Sequence, residues 1–361
     1  MNSYDIAFIP GDGVGTEVSA EAIKILNAIG DKYGLQLKIE SFGWNCDYYL
    51  QHGQMMPHDM LEQLKAFDAI FLGCVGDMNK VPDHISLTLI LSIRKGFDQY
   101  VNLRPIKLYP GVDTPIRNAS PATVDMAVVR ENTEGEYSAT GGFYKLGTPD
   151  AVAIQTAVFT HKGCERVMRY AFELARKRKK LGDSPAGLVT NCTKSNALNY
   201  SMVFWDKVFA QVAQDYPDIK TDMALVDALT MWMVKNPEAF DVIVASNLFG
   251  DIITDLGAML QGGMGFAAGA NINPENTYPS MFEPIHGSAP KYAGKGIVNP
   301  VAAIESIRMM MEHLGETEAG KDIEAALNQV LQNGDAKTRD MGGTHSTSQM
   351  GDVVKKALLS P

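Results

Sequence analysis

Val242-Ile243-Val244-Ala245, then Ser246, then Asn247-Leu248-Phe249-Gly250-Asp251-Ile252-Ile253-Thr254-Asp255-Leu256 is the stretch that decides the fold. Its first four residues are apolar and largely β-branched, the pattern of a buried strand. Asn247 and Gly250 mark a turn, and Asp251 is expected to open an amphipathic helix. In α/β sheets, ligands bind just beyond such strand ends. Residues four apart on a helix share a face, so the Asp251 and Asp255 carboxylates are expected to project side by side. Like charges so placed cost about 0.2–0.5 kcal/mol in isolation. A hard dication such as Mg²⁺ or Mn²⁺ reverses that sign, because it takes carboxylate oxygens as ligands. The alternative is a first helical turn carrying acids that suit the macrodipole.

Short apolar runs alternate with amphipathic helices on either side of this stretch. The runs Ile6–Ile9, Ala69–Leu72, Met126–Val129 and Leu188–Thr190 read as further buried strands, and Val18–Tyr33 and Met60–Phe67 as helices. The alternation predicts a largely parallel sheet covered by helices. Gly141–Gln155 has alternating character and is expected to form a hairpin or arm. From Gln261 to Pro300 the chain is rich in Gly, Pro and Asn with little periodicity, which predicts an irregular cofactor loop.

The length of 361 residues points to two α/β domains. No Ser/Gly linker separates two halves, so a second domain is expected to be inserted into the first. With 45% hydrophobic and 20% charged residues the chain has ordinary globular composition. A net charge of −10 argues against nucleic acid or an anionic membrane as partner. Cys46, Cys74, Cys164 and Cys192 show no paired spacing, so neither a zinc site nor a disulfide scaffold is expected. Scattered thiols, a first strand beginning almost at Met1 and the absence of a long apolar run point to the cytoplasm.

Gly11-Asp12-Gly13-Val14-Gly15 follows the first strand but matches a dinucleotide fingerprint poorly. Its spacing is G-x-G-x-G, and no acidic partner ends a second strand about twenty residues on. Close backbone approach at a strand-to-helix turn explains the glycines more simply. Arg94, Arg104 and Arg130 stand in otherwise apolar or neutral contexts. Converging guanidinium forks hold a dicarboxylate, whereas separate surface ion pairs would hold nothing. Tyr137 is a candidate general acid if a cation lowers its pKa, and Lys194 is a candidate for that cation or for a base.

Taken together and in order, these segments resemble the β-decarboxylating dehydrogenases, the family of isocitrate, 3-isopropylmalate and tartrate/D-malate dehydrogenases. I-P-G-D-G-V-G, N-L-R-P, V-R-E-N-T-E-G-E-Y, T-K-S-N, V-D-A, N-L-F-G-D-I-I-T-D-L and F-E-P-I-H-G-S-A-P carry the resemblance from Ile6 to about Val354. It implies a two-domain α/β fold that is not a Rossmann fold. The large cofactor-binding domain would be residues 1–101 and 262–361, with 102–261 inserted as a small dimerisation domain. Arg94, Arg104 and Arg130 are implied to bind substrate carboxylates. Tyr137 and Lys194 would form the acid–base pair, and Asp227, Asp251 and Asp255 would ligate Mg²⁺ or Mn²⁺. Lys194 and Asp227 would come from the other subunit of a homodimer. The cofactor set implied is Glu283, His286, Gly287, Ser288, Ala289, Lys291, Tyr292, Asn299 and Arg339.

Within the family, isocitrate enzymes hold the third carboxylate with a Ser/Asn pair, where this chain has Thr88 and Ile90. An apolar Ile90 would leave a charged group unpaired, which favours a four-carbon 2-hydroxy diacid such as D-malate or tartrate. Isocitrate or 3-isopropylmalate is the alternative substrate, and a catalytically silent regulatory subunit the alternative role. NAD-using members commonly carry Asp after G-S-A-P. Lys291-Tyr292 and Arg339 suit the 2′-phosphate of NADP instead, against the usual NAD of the tartrate/D-malate branch.

Overall fold

Burial on both faces selects the central strands. A computed structural model describes residues 2–181 and 187–360. Its strands in chain order are β1 (Ser3–Gly11), β2 (Gln36–Ser41), β3 (Ala69–Cys74), β4 (Val101–Lys107), β5 (Asp125–Glu131), β6 (Gly135–Tyr144), β7 (Val152–Val158), β8 (Leu188–Thr193), β9 (Lys220–Leu225), β10 (Val242–Ala245), β11 (Ala268–Ile272) and β12 (Ser280–Pro284). Every residue of β3 and of β10 is buried, as expected for strands with helices on both faces.

The chain forms two compact units. One comprises Met1–Gln99, Lys107–Pro121 and Ala258–Pro361, the other Tyr100–Ile106 and Ala122–Gly257. Lys107–Pro121 therefore goes with the first unit, where the sequence reading had it in the inserted part.

In the first unit the strand order is β2-β1-β3-β12-β11. β2, β1, β3 and β12 are mutually parallel, and β11 pairs antiparallel with β12. The antiparallel pair corrects the expectation of an irregular run from Gln261 to Pro300. Outside β11 and β12 the run has no strand or α-helix, only short 3-10 turns at Met264–Phe266 and Pro290–Tyr292. The helices Gly15–Tyr33 and Val301–His313 pack on these strands. An apolar cluster that includes Ile9, Ile70, Leu72, Leu89, Ile90 and Phe97 fills one side.

In the second unit the order is β4-β5-β10-β8-β9, with β5, β10, β8 and β9 mutually parallel. His161–Leu181 packs against β5, β8 and β10. β6 and β7 form a separate antiparallel hairpin, largely exposed. The four thiols are buried and unpaired, Cys46 and Cys74 in the first unit, Cys164 and Cys192 in the second. Burial pushes the Cys46 and Cys164 thiols up to about 12, and those of Cys74 and Cys192 higher still. No helix among the described residues is long and apolar enough to cross a membrane.

Candidate active site

The parallel pairing of β5 with β10 sets Arg130 opposite Ala245, the last residue of β10. The helix that follows begins at Asn247, four residues earlier than expected. Asp251 therefore lies beyond the first turn, which carries no acid, and the macrodipole reading of the acidic pair falls away. Asn247 holds Arg130 in place. Its side-chain oxygen accepts from Arg130 Nε at 3.1 Å and Nη2 at 2.8 Å, and its amide donates to the Glu134 carbonyl at 3.0 Å. The remaining fork nitrogen, Nη1, pairs with Asp251. Gly250 makes this approach possible, because a Cβ there would run into the Arg130 stem.

Asp251 collects two further donors. Arg104 Nη2 on β4 lies 3.3 Å from its Oδ1, and the Tyr137 hydroxyl donates to Oδ2 at 3.0 Å. Arg104 is itself fixed by Asn102 at 2.7 Å and by the Thr254 hydroxyl. Arg104 and Arg130 are 5% and 1% exposed, so both guanidinium groups are desolvated and held by their partners. One turn further along, the Asp255 carboxyl is pushed up by burial and then by Asp251, against the pull of Arg104 and Arg130. A dication between the two carboxylates would relieve that repulsion, and hard oxygen donors are what Mg²⁺ and Mn²⁺ take. Two ligands do not complete a site. Among the described residues no group of three His, Cys, Asp or Glu is placed to hold a metal.

Asp227 is elsewhere. It pairs with Lys194 at 2.7 Å, which holds its carboxyl below the ordinary range. Lys194 follows the end of β8, and Asp227 lies in the first turn of Val226–Lys235. Tyr137 also differs from expectation. Burial and then Asp251 push its phenol up, and Arg130, with its guanidinium 5.6 Å from the ring centre, opposes them. The expected cation, Lys194, is spoken for by Asp227.

In the first unit Arg94 meets Glu283. Its Nη2 pairs with Glu283 at 2.8 Å, and Asn271 donates to the same oxygen at 2.7 Å. Glu283 thus serves a buried ion pair. Thr88 is exposed and donates to the Ile85 carbonyl at 2.6 Å. Ile90 packs in the apolar cluster and is 9% exposed.

A cavity of about 640 Å³ lies in the same unit, lined by Val14, Met264, Gly265, His286, Gly287, Ala289, Tyr292, Ile297, Val298, Asn299, Arg339 and Asp340. It is of a size for a cofactor. Six of the nine expected cofactor residues are on its wall. Of the others, Ser288 is buried, with its carbonyl accepting from Val14 N–H at 2.8 Å. Lys291 sets its ammonium 4.8 Å from the ring centre of Tyr292. Burial keeps the His286 imidazole below its ordinary pKa, and its Nε2 has no partner among the described residues. Asn102 and Thr254 carry no signal in the sequence, and Asn247, one residue beyond Ser246 after the buried strand, signals a turn rather than a clamp on Arg130.

The chain belongs to the isocitrate/isopropylmalate dehydrogenase family, whose pattern matches residues 5–354. Relatives include a probable tartrate dehydrogenase/decarboxylase of Bacillus subtilis strain 168, 49% identical over 99% of each chain. The D-malate dehydrogenase (decarboxylating) of Escherichia coli K12 is 48% identical, also over 99% of each. Among solved structures, an isocitrate dehydrogenase from Methylococcus capsulatus superposes with a TM-score of 0.87 at 35% identity, covering 99% of this chain and 100% of that one.

Proposed function

We propose that the protein catalyses oxidative decarboxylation of a small 2-hydroxy dicarboxylic acid, D-malate to pyruvate and CO₂ and/or the oxidation of tartrate, with reduction of NAD(P). The convergence of Arg104, Arg130 and Tyr137 on Asp251 carries this reading. Two buried guanidinium forks suit substrate carboxylates, and Arg94 is assigned the same task. Asp251 and Asp255, with Asp227 of the partner subunit, would hold Mg²⁺ or Mn²⁺. When bound, the ion lowers the pKa of the 2-hydroxyl and steadies negative charge on the oxygen.

The chain's own groups then move the protons. Lys194 of the partner subunit takes the hydroxyl proton as hydride leaves C2 for the coenzyme, giving a 2-oxo acid. The bond to the β-carboxylate breaks, CO₂ departs, and the electron pair stays on the enolate. Tyr137 returns a proton to C3. A homodimer with shared active sites is supported by exposed apolar side chains on two elements. Phe143, Tyr144 and Ile154 stand on the β6–β7 hairpin, and Met231 and Trp232 on Val226–Lys235. NADP is supported by Arg339 on the cavity wall and by Lys291 over Tyr292, since a 2′-phosphate needs cationic partners.

Initial rates on D-malate, L-tartrate, meso-tartrate and isocitrate, each with NAD and NADP, test these assignments. The expected result is turnover of a four-carbon acid, efficient with NADP, abolished by excess chelator and restored by Mg²⁺ or Mn²⁺. Faster turnover of isocitrate would sink the substrate reading, full activity in chelator the metal reading, and strong preference for NAD the coenzyme reading.

A further inference from the structure

The glycine-rich turn after β1 ends in a residue that no catalytic role absorbs. Glu17, in the first turn of Gly15–Tyr33, accepts from two backbone amides of the loop beyond the cavity wall. Its Oε1 is 2.5 Å from Gly294 N and its Oε2 is 2.9 Å from Gly296 N. The loop is gripped from the other side by Thr347, the first residue of the last helix. Thr347 N–H donates to the Gly296 carbonyl at 2.8 Å, and its hydroxyl donates to the Val298 carbonyl at 2.7 Å. Upstream, Val14 N–H donates to Ser288 O, and Gly13 packs so closely on Ser288 that a Cβ would strike its carbonyl. The segment from Ser288 through Ala289, Tyr292, Ile297, Val298 and Asn299 is therefore held by Val14 before the helix, by Glu17 in its first turn and by Thr347.

We infer that Glu17 is a positioning residue for the coenzyme: its carboxylate holds the Gly294–Gly296 bend so that the cavity wall is preformed. The inference rests on the reading of this cavity as the coenzyme site. Two hydrogen bonds to a charged carboxylate are strong enough to set the loop's conformation, and a wall that must order on binding lowers affinity by the fraction of time it is disordered. Both hydrogen bonds of the Glu17 carboxylate go to backbone of this loop, so its loss should act first on the cavity wall.

The test uses the full-length protein, its Glu17→Ala and Glu17→Gln variants, NADP and NAD as probes, and hydrogen exchange of segment 289–299. Glu17→Ala should weaken coenzyme binding about tenfold, equivalent to about 1.4 kcal/mol, with kcat at saturating coenzyme and the KM of the hydroxy acid unchanged. Glu17→Gln, whose single amide oxygen can still accept, should fall between Ala and wild type. Exchange in 289–299 should be faster in free Glu17→Ala and return to the wild-type level with saturating coenzyme. Wild-type affinity in Glu17→Ala, or a parallel loss of kcat and of hydroxy-acid affinity, overturns the positioning role. If coenzyme fails to protect 289–299 in the wild type itself, the coenzyme-site reading fails and this inference with it.

Discussion

The two units build their polar sites by different means. In the second, charged side chains meet directly: Arg104, Arg130 and Tyr137 converge on Asp251 from β4, β5 and β6. In the first, the cavity is shaped largely by backbone, with Ala289 in left-handed conformation and the loop gripped through its peptide groups by Val14, Glu17 and Thr347. A side-chain cluster is sensitive to charge and indifferent to small changes of backbone. A backbone cradle is the reverse, and substitutions can tell the two apart.

The largest effect belongs to the cluster. Asp251→Asn keeps the shape and removes the charge that two buried guanidinium groups face. Its kcat/KM should fall about 10³-fold, and the metal needed for half-maximal rate should rise at least about tenfold. Steady-state kinetics against Mg²⁺ and Mn²⁺ measure both, and a variant within threefold of wild type would make the cluster a purely structural network. Next in size is the cradle. Gly13→Ala at a φ of 58° carries a methyl into the Ser288 carbonyl, and we expect a stability loss of about 1–3 kcal/mol by denaturant titration. Coenzyme affinity should fall in parallel. Unchanged coenzyme affinity would mean that the cradle tolerates backbone shifts and that the contrast is false.

The smallest effect serves as a control for charge in the first unit. Glu21 is buried, and burial holds its carboxyl above the ordinary value although Lys24 lies 2.6 Å away. A raised folded pKa means that its favourable contribution is complete below the unfolded value and is lost as pH rises through the folded one. Glu21→Gln should therefore stabilise the protein by less than about 1 kcal/mol at pH 7, with the gain vanishing near pH 4. Lys24 retains Asp352 at 2.6 Å. Thermal melts at the two pH values decide, and a destabilised variant at pH 7 would show that the Lys24 pair outweighs burial.

Legibility followed the range of the interactions. β10 is read from its residues with both ends correct, because four apolar residues before a turn leave little freedom. The helix starts at Asn247 rather than Asp251, because an Asn after a buried strand suits a turn and a first helical residue equally. β11, Ala268-Gly269-Ala270-Asn271-Ile272, carries weak strand propensity, and burial of all five residues overrides composition. The site partners were least visible. Arg94 and Glu283 are 189 positions apart, and Lys194 and Asp227 are 33 apart, so no local pattern joins them. Motif resemblance named all four without saying which would pair.

The four buried thiols have a practical consequence. Alkylation requires thiolate, and burial suppresses it at every cysteine, so a reagent in solution reacts only when the surrounding structure opens. Because Cys46 and Cys74 lie in one unit and Cys164 and Cys192 in the other, the native chain carries two pairs of internal clocks. Mass-resolved labelling of each pair would time the breathing of either unit without a single introduced probe.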